Sequence, residues 1–366
     1  MSDTTRRVEL CFADSDVPDD TITNLSALRR DGQYVWTAGD ESATIERLAG
    51  EFDSSGQPVR FARHQGFNLA DYVALPEGGH AEADIEGLAR SGAWLWAIGS
   101  HSLKRKRIKD KHSPKKARRR LATVVREENR FTLVRLPITT GADGAPEPRV
   151  SVEEDGEVRT AAFFGRPGET ITDLLADDPH LAAFLALPGK DNGVDIEGIA
   201  AHGERIYLGL RGPVLRGWAV LIELLPETDP DDPHRLHLAE LAPGQRYLTH
   251  FLDLGGLGIR DICPDGDDLL LLVGPSMDLD GPVRVLRWPK AAVREGAEVV
   301  GADDLSHVAE LSFGVGTDHA EGIVVYPPGA GETAQRLLVV YDSPAPDRLT
   351  KTGVQADLVT VGDQPR

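Results

Sequence analysis

The sequence predicts an all-β fold, a β-propeller with five blades as the preferred count and six as the alternative. Two observations predict it: one hairpin grammar recurs five times, and the composition favours short strands and turns. The grammar reads "NLSALRRDGQYVWTAG" at 24–39, "DIEGLARSGAWLWAIG" at 84–99, "DIEGIAAHGERIYLGL" at 195–210 and "IRDICPDGDDLLLLVG" at 259–274. It returns as "HAEGIVVYPPGAGETAQRLLVVY" at 319–341. Each copy is a short apolar strand, a turn with glycine and a second strand rich in β-formers. The 38 glycines and 24 prolines supply the punctuation that many short strands need.

The remaining elements follow in order. Third strands are expected at 43–48, 131–136, 218–224, 283–288 and 356–361, and outer strands at 59–64, 159–164, 235–241 and 307–313. Four strands per unit, arranged radially, make a propeller. The fifth unit lacks an outer strand, and "RVELCF" at 7–12 is predicted to complete it, closing the ring and removing an exposed edge. The long interval between the second and third repeats is assigned to two insertions in blade 2. One is basic (101–130) and one helical (165–193), both on one face of a single domain spanning 1–366. In the first, Ser113 and Pro114 read as the N-cap and first turn of a helix. In the second, Leu174, Leu175, Leu181, Phe184 and Leu185 share a helical stripe that Pro179 interrupts.

The net charge of −19 opposes nonspecific nucleic-acid binding by the body of the protein. The segment 101–120 departs from this, with eleven Lys/Arg and one Asp, so that the other residues carry −29 against the chain's −19. No apolar run approaches the roughly 18 residues that span a bilayer. The first residues lack the apolar stretch of a secretory signal. The expectation is a soluble, cytoplasmic protein with no membrane partner, its two cysteines, Cys11 and Cys263, reduced and buried.

Stacking the repeats gives an outer column of Asn24, Asp84, Asp195, Ile259 and His319, and an inner column of Ser26, Glu86, Glu197, Asp261 and Glu321. Residues two apart on a strand face one side, so both columns are expected to line the channel mouth. Like charges about 4 Å apart cost roughly 4 kcal/mol at an effective dielectric near 20. A hard cation would relieve this. Ca2+, with Mg2+ as the alternative, is expected on Glu86, Glu197, Asp261 and Glu321, with Asp84 and Asp195 as further ligands or bases. The competing reading has each carboxylate anchor a neighbouring blade's N–H groups, with Gly87, Gly198 and Gly322 permitting close approach.

The basic insertion begins in a turn on the same face. Lys104, Arg105, Arg211 and Arg260, with His319 and Asp342, are therefore candidates to hold an anionic small molecule. A protein partner on this lidded face is an equal expectation. His101 is either a catalytic base or a turn histidine bonded to a backbone carbonyl. The basic segment has charge enough for nucleic acid or polyphosphate but no aromatic interleaving, and a merely solvated loop is the competing reading. The sequence contains no nucleophile elbow, phosphate loop, HExxH or zinc spacing.

The residues Asp84, Glu86, Gly87, then Ser100, His101, Ser102, Lys104 and Arg105, and later Asp318, His319, Glu321 and Gly322, resemble a bacterial family, domain of unknown function 3616. The likeness covers roughly residues 20–345 and implies the same propeller-like fold. The repeated D-x-E-G also resembles that of esterase-like phytase propellers, which implies calcium and phosphate esters through the acidic pairs alone. Two functions follow as expectations. One is a ligand- or protein-binding propeller with an acidic, cation-binding mouth. The other is a metal-assisted hydrolase of an anionic, phosphoester-like substrate.

Overall fold

The computed structural model describes residues 5–12, 19–277, 279–331 and 333–361, and these form a mostly β, propeller-like structure. All five expected hairpins are present. Their inner strands are Leu25–Asp31, Ile85–Ser91, Asp195–His202, Gly258–Asp265 and His319–Tyr326. Each inner strand packs against the next, and the fifth packs against the first. Four of the hairpins turn through two residues, with Gly32, Gly92, Gly203 or Gly266 at positive φ in the first place. That is the turn geometry whose twist matches the flanking strands.

The first unit continues outward through Tyr34–Gly39, Thr44–Phe52 and Pro58–Asn68. In the second, Leu133–Thr140 pairs with Trp94–Gly99 and with the short strands Pro146–Pro148 and Ala162–Phe164. The fourth runs Asp268–Gly274, Val283–Trp288 and Ser306–Leu311. The fifth runs Arg336–Asp342 and Gly353–Thr360, on which Thr5–Cys11 pairs antiparallel, Val8 opposite Ala356. The same N-terminal strand meets the first unit in parallel at Glu9–Arg60 and Leu10–Phe61.

Three expectations are corrected. The outer strand of the third unit is not 235–241 but Tyr247–Asp253, seven pairs in register with Trp218–Leu224. Leu236–Leu238 instead forms a ribbon with Pro226–Thr228. Both stretches alternate and both bury leucines, Leu236 and Leu238 in one and Leu248 and Leu252 in the other, so burial alone does not distinguish them. The helix expected within 165–193 is reduced to Ile171–Leu174 and a 3-10 turn, Ala182–Phe184. Leu174, Leu175, Leu181, Phe184 and Leu185 nevertheless share one core cluster, so hydrophobic burial survives the break near Pro179. The basic insertion does contain its helix, Pro114–Leu121, with Ser113 Oγ accepting from Lys116 N.

The third correction concerns register. Every inner strand carries a bulge, and the bulged residues are Ser26, Glu86, Glu197, Arg260 and Glu321. Arg260, not Asp261, therefore stands in the column of glutamates. Gly258 replaces Ile259 in the outer column, and Asp261 takes the place that Gly87, Gly198 and Gly322 hold elsewhere. The reason is the turn: in the four two-residue hairpins the bulge stands six positions before the turn glycine, and a slip of one flips every side chain.

Apolar clusters fill the spaces between sheets. Ala27, Trp36, Leu88 and Leu95 meet between the first two units, and Ile98, Ile196, Ile199 and Leu208 between the second and third. Each fully buried Leu or Ile contributes about 1.5–3 kcal/mol. The glycines of the D-x-E-G copies bring the backbones together. A Cβ on Gly198 would lie 3.1 Å from Asp261 Cα, and one on Gly322 2.9 Å from Leu28 N. Among the described residues no helix is long and apolar enough to cross a membrane.

Candidate functional site

Arg29 ties the middle of the ring together. It leaves the first inner strand where the other units carry Ala89, Ala200, Cys263 and Val324. Its guanidinium donates to Asp261 Oδ1 and Oδ2 at 2.6 and 2.9 Å. It also reaches the carbonyls of Ile199 at 2.8 Å, Ile262 at 2.5 Å and Ile323 at 3.2 Å, one from each of three other units. Asp261 completes its shell with Ile262 N and Ile323 N, both at 2.8 Å. It is thus an anchor between units rather than a metal ligand, as the competing reading expected of such carboxylates.

Two glutamates of the inner column have arginine partners. Glu197 Oε1 meets Arg211 at 2.7 Å, and the same guanidinium binds Asp195 at 2.6 Å. Glu321 meets Arg260 at 2.5 Å. Arg211 and Arg260, candidates for an anionic ligand, are internal counter-ions here. Asp84 is held by Arg130, which also contacts Glu82 and Ser102 Oγ, each at 3.1 Å. Burial, the largest influence on Asp84, Glu197 and Glu321, still leaves all three carboxyls above their usual range.

Glu86 differs. It forms no hydrogen bond or ion pair among the described residues, and it faces the charges of Asp84, Glu197, Asp40 and Glu321. Burial and those neighbours raise its carboxyl well above the usual value. Asp40, at the end of the first hairpin, shares the condition. Burial, then Asp84 and Asp342, push it up to about 8, and its Oδ1 is buried without a hydrogen-bond partner. Asp40, Asp84 and Glu86 each offer a carboxylate oxygen, and these oxygens lie within 4.8 Å of one another. Two oxygens on one calcium are at most about 4.8 Å apart, twice a bond of about 2.4 Å. Magnesium, at about 2.1 Å, would require about 4.2 Å or less.

Around this cluster, Lys190 from the second insertion draws down the carboxyls of Asp40, Glu197 and Asp342. His319 lies 3.3 Å from Asp280 and 3.9 Å from Asp342, and these carboxylates, Asp342 first, raise its imidazole against its burial. Burial would raise Asp342, but His319, Lys190 and Ser343 outweigh it and hold that carboxyl low. Lys104 is clamped to Glu82 at 2.6 Å and Arg105 to Asp191 at 2.7 Å. His101 is 1% exposed, with Nδ1 2.9 Å from Gly99 O and its ring edge-on to Phe131. Burial lowers its imidazole to about 4, so it has the character of a turn histidine.

Of the residues expected from the sequence, the structure brings together Asp84, Glu86, Asp195, Glu197, Glu321, Arg211 and Arg260, and sets Asp261 and His101 apart. Arg29, Arg130 and Lys190 were not expected as partners. A charged residue at a station where four repeats carry small or apolar ones was a usable signal for Arg29. Arg130 and Lys190 lie outside the repeats and offered none.

The sequence matches the family model described as "Protein of unknown function (DUF3616)" over residues 24–357. No curated protein matches it. Among solved structures, hydrazine synthase of Kuenenia stuttgartiensis aligns at 10% identity and a TM-score of 0.33, covering 95% of this chain. The chain spans 64% of that protein's length. A glucose dehydrogenase aligns at 15% identity and a TM-score of 0.36, covering 96% of this chain and 84% of the other. An α-L-arabinofuranosidase of Podospora anserina aligns at 10% identity and a TM-score of 0.39, covering 98% and 97%.

Proposed function

The chain belongs to the DUF3616 family, and from that premise we propose a five-bladed propeller, closed by its N-terminal strand, that binds a divalent cation at its mouth. Asp40, Asp84 and Glu86 would hold the ion, calcium or, as the alternative, magnesium. The observation that carries the reading is the pairing state of the mouth. Asp261, Glu197 and Glu321 each have an arginine, whereas Asp40 and Glu86 have no ion pair among the described residues. A half-buried carboxylate crowded by like charges and held in no ion pair favours uptake of a proton or a metal ion. Bound calcium would leave open positions to an anionic ligand, and Lys190 would add a charge beside it.

The binding reading is preferred to the hydrolase. Asp84 and Asp195, the expected bases, are each committed to an arginine, and His101 is buried with its Nδ1 on Gly99 O. Asp40 supports the hydrolase alternative, because its proton exchange near pH 8 suits a general base beside a metal. Calcium titration during thermal unfolding tests the site. Wild type should melt at least several degrees higher in millimolar calcium, and Glu86→Gln should not respond. An equal rise in both proteins, or none in wild type, would remove the calcium site.

A further inference from the structure

Between residues 103 and 128 the chain leaves the second unit as a lobe in which no residue is buried. Its stem is the ribbon of Lys104–Arg105 with Val124–Val125, and its top is the helix Pro114–Leu121. The lobe is ordered by its own bonds. Arg120 Nε donates to Arg107 O at 2.5 Å, Thr123 Oγ1 to Arg119 O at 2.8 Å, and Lys106 N to Thr123 O at 3.1 Å. Lys104 and Arg105 fix the base to Glu82 and Asp191.

Beyond those two, nine Lys/Arg stand between positions 106 and 120, and none makes an ion pair among the described residues. The chain has 59 acidic residues against 40 basic ones, so an acid would be easy to supply. Between residues 103 and 126 the only acid is Asp110; Glu127 and Glu128 stand at the foot of the lobe, beside Lys104 and Arg126. Nor do the mouth carboxylates engage it: the cations that act on Asp40, Asp84, Glu197 and Glu321 are Lys190, Arg130, Arg211 and Arg260. A preformed scaffold thus holds about nine like charges together without internal compensation. Such an arrangement is stabilised by an external polyanion.

We propose that this lobe docks on the phosphate backbone of duplex DNA, without reading its sequence. Charge complementarity selects a regular polyanion, since a duplex presents one phosphate charge per about 1.7 Å of axis. Residues 103–125 contain no Phe, Tyr or Trp on which an unpaired base could stack, which argues against a single strand. They contain no Asn or Gln for adenine edges either. On the helix, Lys115, Arg118 and Arg119 fall on one face at i, i+3 and i+4 and are exposed. The acidic body limits contact to the lobe, because its repulsion is screened beyond about 8 Å at physiological salt. This inference is independent of the cation site.

The test is fluorescence anisotropy of the full chain with a labelled duplex, the matching single strand, and inorganic polyphosphate as competitor. With about five phosphates neutralised, the log–log salt slope should be about −4.5, and affinity should fall about a hundredfold for a threefold rise in salt. Replacing Lys115, Lys116, Arg118 and Arg119 by Gln should weaken duplex binding at least tenfold at an unchanged melting temperature. Lys351→Gln, an exposed cation elsewhere, should bind as wild type. Absent duplex binding at low salt, equal binding by the fourfold variant, tighter binding of the single strand, or displacement by far less polyphosphate than duplex phosphate would each overturn the proposal.

Discussion

Arg29 and Asp261 clasp each other through two hydrogen bonds, of 2.6 and 2.9 Å, between side chains that are 4% and 1% exposed. The pair joins the first unit to the fourth, and its remaining donors and acceptors bind the third and fifth. Breaking it from one side strands a buried charge. Asp261→Ala should therefore cost about 3–5 kcal/mol in urea unfolding. The double variant Arg29→Met/Asp261→Ala should recover part of that loss, since a neutral pair leaves no uncompensated ion. A double variant as unstable as the sum of the singles would show that the two residues do not act as a pair.

Gly198 faces Asp261 so closely that a methyl group has no room. Its Cβ would stand 2.9 Å from Ile262 Cγ1 and 3.1 Å from the Asp261 backbone. Gly198→Ala should lower stability by about 1–3 kcal/mol by forcing two inner strands apart. Gly301→Ala is the comparison, because there a Cβ would meet only Asp304 Oδ2, at 3.6 Å. Equal melting temperatures for Gly198→Ala and wild type would refute the close-approach role.

The hairpins were legible because each binds its own core face and turns at a glycine. The finer register was not read correctly, although the same glycines fix it: counting six residues back from Gly266 gives Arg260 rather than Asp261. Aligning on the acidic residue itself hid a basic one in the column. The D-x-E-G spelling also joined unlike roles. Its glycine brings strands together, Glu197 and Glu321 pair with arginine, and Glu86 pairs with nothing among the described residues. No local pattern could separate these, because the partners come from other units or from the insertions, as Arg130 and Lys190 do. The expected third-unit outer strand failed for a similar reason: two alternating stretches compete, and tertiary pairing chooses between them.

His101 should remain neutral across the physiological range. Burial lowers its imidazole from 6.5 to about 4. A depressed histidine binds fewer protons folded than unfolded, so its contribution to stability is present above pH 6.5 and is lost as pH falls toward 4. The ring resonances of His101 in an NMR titration should not move between pH 8 and pH 5. A midpoint above pH 6 would reinstate it as a candidate base.

Asp40 gives the opposite pH dependence and couples it to the metal. Its carboxyl is raised from 3.8 to about 8, so between those values the folded protein holds a proton that the unfolded chain has released. The folded state then binds more protons, and metal-free stability falls as pH rises through that window. Asp40→Asn removes this titration and should flatten the decline between pH 5 and pH 8, with its largest stabilisation at the alkaline end. Calcium competes with the proton for the same oxygens, so the calcium-induced rise in melting temperature should be small at pH 5.5 and larger at pH 8. In Asp40→Asn the rise should shrink at both values, because one charged ligand is gone. Melting curves of the two proteins at both pH values, with and without calcium, separate the readings. A calcium response in wild type that is independent of pH would place the ion away from Asp40. A pH-dependent decline that persists in Asp40→Asn would assign the titration to other groups in the mouth.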